Sequence, residues 1–260
     1  MVDTTSQLVL RTDDSRGVTT LTLNRPAAFN ALSEELLTDL QNTLDDLAKD
    51  KKLRVLIIAA SGKAFCAGHD LREMRADPSL HYYQKLFAQC GRMMMGIQTL
   101  HVPVIAKVQG IATAAGCQLV AQCDLAVASS DARFAVSGVN LGLFCSTPSV
   151  ALSRNLSRKA AFEMLVTGDF ISAQEAMMKG LVNLVAPPDA LDAKVEELVS
   201  KILSKPSVAL AMGKELFYKQ IETGIDGAYT IAANTMACNM MDDSALEGVQ
   251  AFLEKRTPQW

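Results

Sequence analysis

Ser61-Gly-Lys-Ala-Phe-Cys-Ala-Gly-His-Asp70 and Lys107-Val-Gln-Gly-Ile-Ala-Thr-Ala-Ala-Gly-Cys-Gln118 are the two stretches that decide the fold of this chain. Each sets glycine and alanine between an apolar run of strand length and a helical pattern. Val55–Ala60 precedes the first stretch, and Val104–Val108 leads into the second. Small residues let a ligand approach the backbone, and a helix start presents N–H groups with no carbonyl a turn earlier. Two such groups converging on one point would make an oxyanion hole. Glycine loops after strands are common in α/β proteins, so the pattern alone leaves a purely structural role open.

Working outward, Val18–Leu23 alternates with Thr and ends in Asn-Arg-Pro26, which predicts a strand running into a loop. Leu8–Leu10 is its expected hairpin partner. Leu36, Leu37, Leu40, Leu44 and Leu47 share one face of a helix over 33–49, with Ser33 as N-cap and Glu34 and Glu35 complementing the helix dipole. Val55–Ala60 is continuously apolar, as expected of a strand buried on both faces. Further strands are expected at Val104–Val108, Leu125–Ala128 and Leu181–Val185, separated mostly by helical patterns, so the fold class is α/β. The helical stretch 79–99 carries Met93, Met94 and Met95, read as core filler rather than tunnel lining. Ser172-Ala-Gln-Glu175 is a capping box and Gly180 a helix stop, which specifies a short helix over 173–179. After Pro187-Pro188 the pattern is wholly helical, over roughly 190–204, 207–223, 225–241 and 243–255. Residues 1–188 are therefore read as the core and 189–260 as a C-terminal helical part.

Composition narrows the function classes. With 49% hydrophobic residues the chain can bury a large core without a metal or disulfide staple. The 25 basic and 28 acidic residues leave a net charge of −3, and no basic stripe suggests nucleic acid or an anionic membrane. Lys49, Lys51, Lys52 and Arg54 are interrupted by Asp50 and read as a solvated helix end. Met1–Gln7 is polar and unlike a signal peptide, and no run reaches the ~18 apolar residues of a membrane span. The cytoplasm is the expected compartment, with the mitochondrial matrix the alternative should a transit peptide be missing. Cys66, Cys90, Cys117, Cys123, Cys145 and Cys238 form no C-x-x-C pair, so reduced, mostly buried thiols are expected and no metal site. No phosphate loop, dinucleotide fingerprint or G-x-S-x-G elbow occurs, and only His69, His81 and His101 are present for a triad.

Several ordered motifs together resemble the crotonase (enoyl-CoA hydratase/isomerase) superfamily across nearly the whole chain. They are Asn24-Arg25-Pro26 with Asn30-Ala31-Leu32, Lys63 to Asp70, Gly110 to Asp124, Leu165 to Glu175, and Phe252 to Arg256. Gly138-Val-Asn-Leu-Gly-Leu-Phe-Cys-Ser-Thr-Pro148 is similar to the enoyl-CoA hydratase domain-containing protein 3 type. The resemblance implies a spiral of β-β-α turns and a C-terminal helical part that joins copies into trimers or hexamers. It implies an acyl-CoA thioester ligand, with coenzyme A as part of the substrate and no tightly bound cofactor. Carried over, the oxyanion donors are the backbone N–H groups of His69 and Ala115. Adenine would lie near Ala64 and Ala67, in the loop that continues through Asp70 and Leu71. Arg25, Lys63, Arg72 and, across a subunit boundary, Lys255 would meet phosphates; each alone is more often a solvated surface charge.

The pattern breaks at the acid/base positions. Hydratases of the family use two glutamates to activate one water, and those positions here are Gln118 and Gly138. Glutamine accepts no proton at neutral pH, and each lost acid/base group typically costs ~10²–10⁴-fold. A glutamate restored at 138 would be strained if the glycine sits at positive φ. His69 is a candidate base near neutral pH, or it matters only through its backbone. Cys145 is a candidate nucleophile or a buried structural thiol. Asp70 with Glu73 reads as an N-cap with its partner three residues on rather than as an acid. Two functions remain open: an acyl-CoA enzyme with substituted acid/base groups, and a non-catalytic acyl-CoA-binding or regulatory protein.

Overall fold

Alternating Val, Thr and Leu over 18–23 buries Val18, Leu21 and Leu23, and this strand seeds the larger sheet. The computed structural model describes residues 7–260; the polar opening, residues 1–6, lies outside the described residues. β1 (Val9–Asp13) pairs antiparallel with β2 (Val18–Leu23), Val9 opposite Leu23. α1 (Glu34–Leu47) follows; the Ser33 side chain accepts from the Leu36 N–H, and the five leucines of its apolar face are all buried.

Three β-β-α turns come next. The first is β3 (Val55–Ala60), β4 (Ala64–Cys66), α2 (Leu71–Ala76) and α3 (Leu80–Thr99). The second is β5 (Val104–Val108), β6 (Ile111–Thr113) and α4 (Ala115–Gln122). The third is β7 (Leu125–Ser129), β8 (Arg133–Ala135), α5 (Ser146–Asn155) and α6 (Arg158–Thr167). In each turn the first strand joins a six-stranded sheet, ordered β1-β2-β3-β5-β7 and then Leu184–Ala186, and the second joins a four-stranded sheet, ordered β4-β6-β8 and then Ile171–Ser172. β9 (Ile171–Ser172), α7 (Ala173–Lys179) and β10 (Leu184–Ala186) close the spiral. This is the α/β crotonase-like spiral expected above. The Ser172–Glu175 capping box and the helix over 173–179 are present as read. The last strand starts three residues later than expected, because the Ala176 carbonyl at the end of α7 takes the Leu181 N–H at 2.8 Å.

β3 explains its own composition. Leu56 and Ile58 face the main core, while Val55 and Ile57 face a smaller cluster on the other side of the sheet. Leu191, Val195 and Val199 of α8 (Leu191–Leu203) cover that second face, so α8 packs on the core sheet although it lies beyond residue 188. α9 (Ser207–Ile221), α10 (Ile225–Met240) and α11 (Asp243–Leu253) complete the chain; α9 and α10 contain no buried residue. Met93 and Met94 are buried in the core and Met95 is half exposed. Five cysteines are buried free thiols and Cys238 is exposed.

Candidate functional site

β4 and β6 are parallel neighbours, Ala64 beside Ile111 and Cys66 beside Ala112, so their C-terminal ends open at one edge. Ligand sites of open α/β sheets form at such edges. The two small-residue loops therefore meet backbone to backbone. Gly68 has φ 93°, and a Cβ there would stand 2.9 Å from the Ala114 Cβ and 3.3 Å from the Ala115 nitrogen. A Cβ on Gly116 would collide with the Cys66 carbonyl. Ala114 holds φ 51° and ψ −121° without any capping side chain, a strained conformation worth ~1–3 kcal/mol that sets the start of α4 against Gly68. Ala115 then opens α4, where the first N–H groups lack intrahelical acceptors. On the other loop, Leu32 bridges to the strand-like pair around His69 through the Gly68 carbonyl (2.8 Å) and the Asp70 N–H (3.2 Å), which leaves the His69 N–H out of the bridge.

The Asn-Arg-Pro and Asn-Ala-Leu motifs act as a clamp on the first loop. Asn30, fully buried, donates to the carbonyls of Ser61 and Ala64 at 2.8 Å each and accepts from the Arg25 N–H at 2.8 Å. The Arg25 guanidinium donates to the Ala31 carbonyl (2.6 Å) and to the Asp70 carboxylate (3.0 Å). Burial works to raise the Asp70 carboxyl, but hydrogen bonds from Arg25 and from the Arg72 N–H outweigh it and hold the group below its usual range. Asp70 does cap α2, accepting from the Arg72 N–H at 3.0 Å. The expected reciprocal partner fails: Glu73 instead accepts the Glu34 N–H at 3.0 Å, because the free start of α1 lies within its reach.

A cavity of about 700 Å³ lies over this junction. Its wall includes Arg25, Ala67, His69, Asp70, Leu71 and Arg72 from the first loop and its clamp, and Ala115 from the second. Gly138 and Cys145 border it from the segment after β8. Lys63, Ala64, Gln118 and Lys255 do not line it. Lys63 and Lys255 are exposed, whereas Ala64 is buried beneath the loop. Gln118 is buried in α4 with its Oε1 unpartnered.

Residues 13–260 match the enoyl-CoA hydratase/isomerase family. The chain belongs to that family. Among its relatives is the mitochondrial enoyl-CoA hydratase domain-containing protein 3 of Xenopus laevis, 45% identical over 244 residues, 94% of this chain and 83% of that one. A crystal structure of an enoyl-CoA hydratase from Mycobacterium smegmatis superposes with a TM-score of 0.97 at 67% identity, covering 98% of this chain and 99% of that one. The human enoyl-CoA hydratase domain-containing protein 3 gives a TM-score of 0.93 at 42% identity, with 98% and 100% covered. Among the described residues no helix is long and apolar enough to cross a membrane.

Two side-chain expectations need correction. The His69 ring reaches the cavity wall and meets Phe87 edge-on at 5.4 Å, but both ring nitrogens are buried without a hydrogen-bond partner. Burial lowers its pKa to about 4, against a smaller opposing pull from the Leu32 backbone that falls short of hydrogen-bond geometry, so it is a neutral imidazole and not a base titrating near pH 7. Gly138 is not in the left-handed region; the obstacle to a side chain there is space. A Cβ would stand 2.5 Å from the Leu143 carbonyl oxygen and 2.7 Å from the Cys145 sulfur. Cys145 itself is 6% exposed and burial raises its pKa, so it is not an activated thiol. Sequence reasoning passed over Phe29, Met74, Phe87, Leu141, Leu143 and Phe144, all on the cavity wall. Phe29, Leu141, Leu143 and Phe144 offered a signal as exposed apolar residues outside the long helices, whereas Met74 and Phe87 also pack against the core and offered none.

Proposed function

We propose that this family member binds acyl-CoA thioesters in the 700 Å³ cavity, the thioester carbonyl accepting from the His69 and Ala115 N–H groups. The observation that carries the reading is the contact of the two loops at Gly68 and Ala115, which brings the loop backbone before α2 and the start of α4 to one edge. Donors fixed before the ligand arrives stabilise an enolate without reorganisation. Arg72, and Lys63 at the outer side of the loop, supply cations for the phosphates, with adenine against the backbone near Ala64 and Ala67. Arg25 contributes through the loop it holds, since its own guanidinium is engaged by Asp70 and Ala31. Lys255 would reach this site from a neighbouring copy in a trimer or hexamer.

Hydration of the ordinary kind is expected to be weak. Gln118 and Gly138 stand at the positions of the two glutamates, and neither His69 nor Cys145 replaces them as a base near neutral pH. An enzyme with substituted acid/base chemistry is the first reading. The crowding at Gly138 favours a second, an acyl-CoA-binding or regulatory protein without turnover, because a carboxylate there would have to displace the Leu143 carbonyl and the Cys145 sulfur. Titration with acetyl-, crotonyl- and longer acyl-CoA tests the shared claim. Saturable binding at about 1 mM or tighter, roughly −4 kcal/mol, is expected; no binding in that range would sink it. Turnover of the same panel separates the two readings.

A further inference from the structure

Between Arg133 and Arg154 the sequence contains no charged residue. Ser137 to Pro148 of that stretch forms one wall of the cavity, so one whole side of the site is uncharged. Leu141, Leu143 and Phe144 project from it and remain 69%, 47% and 44% exposed. The loop that carries them is fixed rather than loose: the Leu143 N–H donates to the Gly138 carbonyl at 3.0 Å, and the Gly142 N–H to the Val139 carbonyl at 3.0 Å. Every charged residue on the cavity wall belongs to the other side, as Arg25, Asp70 and Arg72. The first two are paired with each other, leaving Arg72 as the cation on that wall without an ion-pair partner among the described residues.

We propose that the 137–148 wall is the acyl-chain subsite and that it selects uncharged, apolar acyl groups of medium or greater length over short or carboxylate-ended ones. The proposal rests on the acyl-CoA reading above. A cavity charged on one wall and apolar on the other fits a ligand with a polyanionic end and a hydrocarbon end. Large apolar side chains left open at a cavity are the surface that such a hydrocarbon covers. A carboxylate placed on this wall would lose hydration with no cation beside it, since Arg25 is occupied by Asp70 and the Ala31 carbonyl and Arg72 belongs to the other side of the cavity. Discrimination of this kind exceeds what one extra methylene provides.

The test is calorimetric titration of the full chain with free CoA and with butyryl-, hexanoyl-, decanoyl- and adipoyl-CoA, saturated thioesters that do not undergo hydration. From butyryl to decanoyl, affinity should rise by up to about fourfold per methylene buried. Hexanoyl-CoA should bind at least about tenfold more tightly than adipoyl-CoA, which has the same number of acyl carbons. Phe144→Arg should cost decanoyl-CoA about tenfold, narrow the hexanoyl–adipoyl gap and leave free CoA unchanged. Leu141→Asp, at a more exposed position, is the second variant should the first not fold. Equal affinity for hexanoyl and adipoyl, or affinity independent of chain length, would overturn the proposal. So would variants that change the sedimentation of the protein while the chain-length trend persists, because a second copy would then cover the wall. If neither free CoA nor any thioester binds, it is the acyl-CoA reading itself that fails.

Discussion

At position 138 the nearest atoms to an added Cβ are a backbone carbonyl and a sulfur, and they differ in how far they can yield. Cys145 can be shortened; the Leu143 carbonyl is backbone, in a loop held by the Leu143 N–H bond to the Gly138 carbonyl. Gly138→Glu alone should therefore destabilise by about 1–3 kcal/mol through overpacking, read from urea unfolding. Gln118→Glu with Gly138→Glu should raise crotonyl-CoA hydration above wild type, most clearly when Cys145→Ala is added. Single changes should do less, since two carboxylates acting on one water are not additive. Efficient hydration by the wild-type protein would refute the role given to the missing carboxylates. His69 makes a second residue-scale prediction. Its folded pKa of about 4 lies below the ordinary value near 6.5, so between those pH values the unfolded chain binds the extra proton. Stability is thus full above pH 6.5 and is lost as pH falls toward 4, by up to about 3 kcal/mol from this residue. Unfolding free energies of wild type and His69→Gln across pH 4–7 should diverge in slope; parallel curves would contradict the buried, unpartnered ring.

α4 and α9 are joined by a buried polar cluster that gives the element scale its sharpest consequence. Asp124, just past the end of α4, accepts from Lys214 (2.6 Å) and Tyr218 (2.6 Å) of α9, and from the Val104 N–H at the start of β5 (2.7 Å). Lys214 also donates to the carbonyls of Ile97 (3.0 Å) and Val102 (2.9 Å). Burial lowers the Lys214 pKa and raises that of the Tyr218 hydroxyl, and Asp124 pulls Lys214 back toward the charged form. Removing one partner strands a buried charge, so Lys214→Met should cost about 3–5 kcal/mol, whereas Lys214→Met with Asp124→Asn should recover much of it. Equal losses for the single and double variants in chemical denaturation would mean that the cluster is not coupled. Nothing in the sequence pattern marked this cluster, because a lysine in an amphipathic helix looks solvated until its partners 90 residues earlier are placed. The strands, the α1 leucines and the α7 capping box were legible because local periodicity and capping determine them. The meeting of the two loops was legible only through the ordered motifs, since it depends on β4 and β6 lying side by side. The crowding at Gly138 and the burial of His69 were not legible, as both are set by contacts across the fold.

For the whole molecule, the distribution of apolar surface argues for assembly. α9 and α10 have no fully buried residue within the chain, and they carry Phe217, Ile221, Ile225, Tyr229 and Met236 at 53–74% exposure. α11 adds Phe252 at 81% and Leu253 at 69%. Seven large apolar side chains exposed on three successive helices are more than the isolated exposed side chains that need no explanation. Closed symmetric association is the usual way to cover such a face, and a stable contact needs about 800 Å² from each partner. A trimer or hexamer of the 28.0 kDa chain is the expected species in sedimentation at micromolar concentration. Ile225→Asp with Tyr229→Asp should shift it toward monomer, since both residues are more than 70% exposed and neither supports the fold of its own chain. Lys255 is exposed and lies off the cavity wall of its own chain. If a neighbouring copy brings it to the phosphates, dissociation should weaken CoA binding, and Lys255→Ala should do the same in the intact assembly. A wild-type protein that sediments as a stable monomer while binding acyl-CoA normally would rule out both the assembly and the shared site.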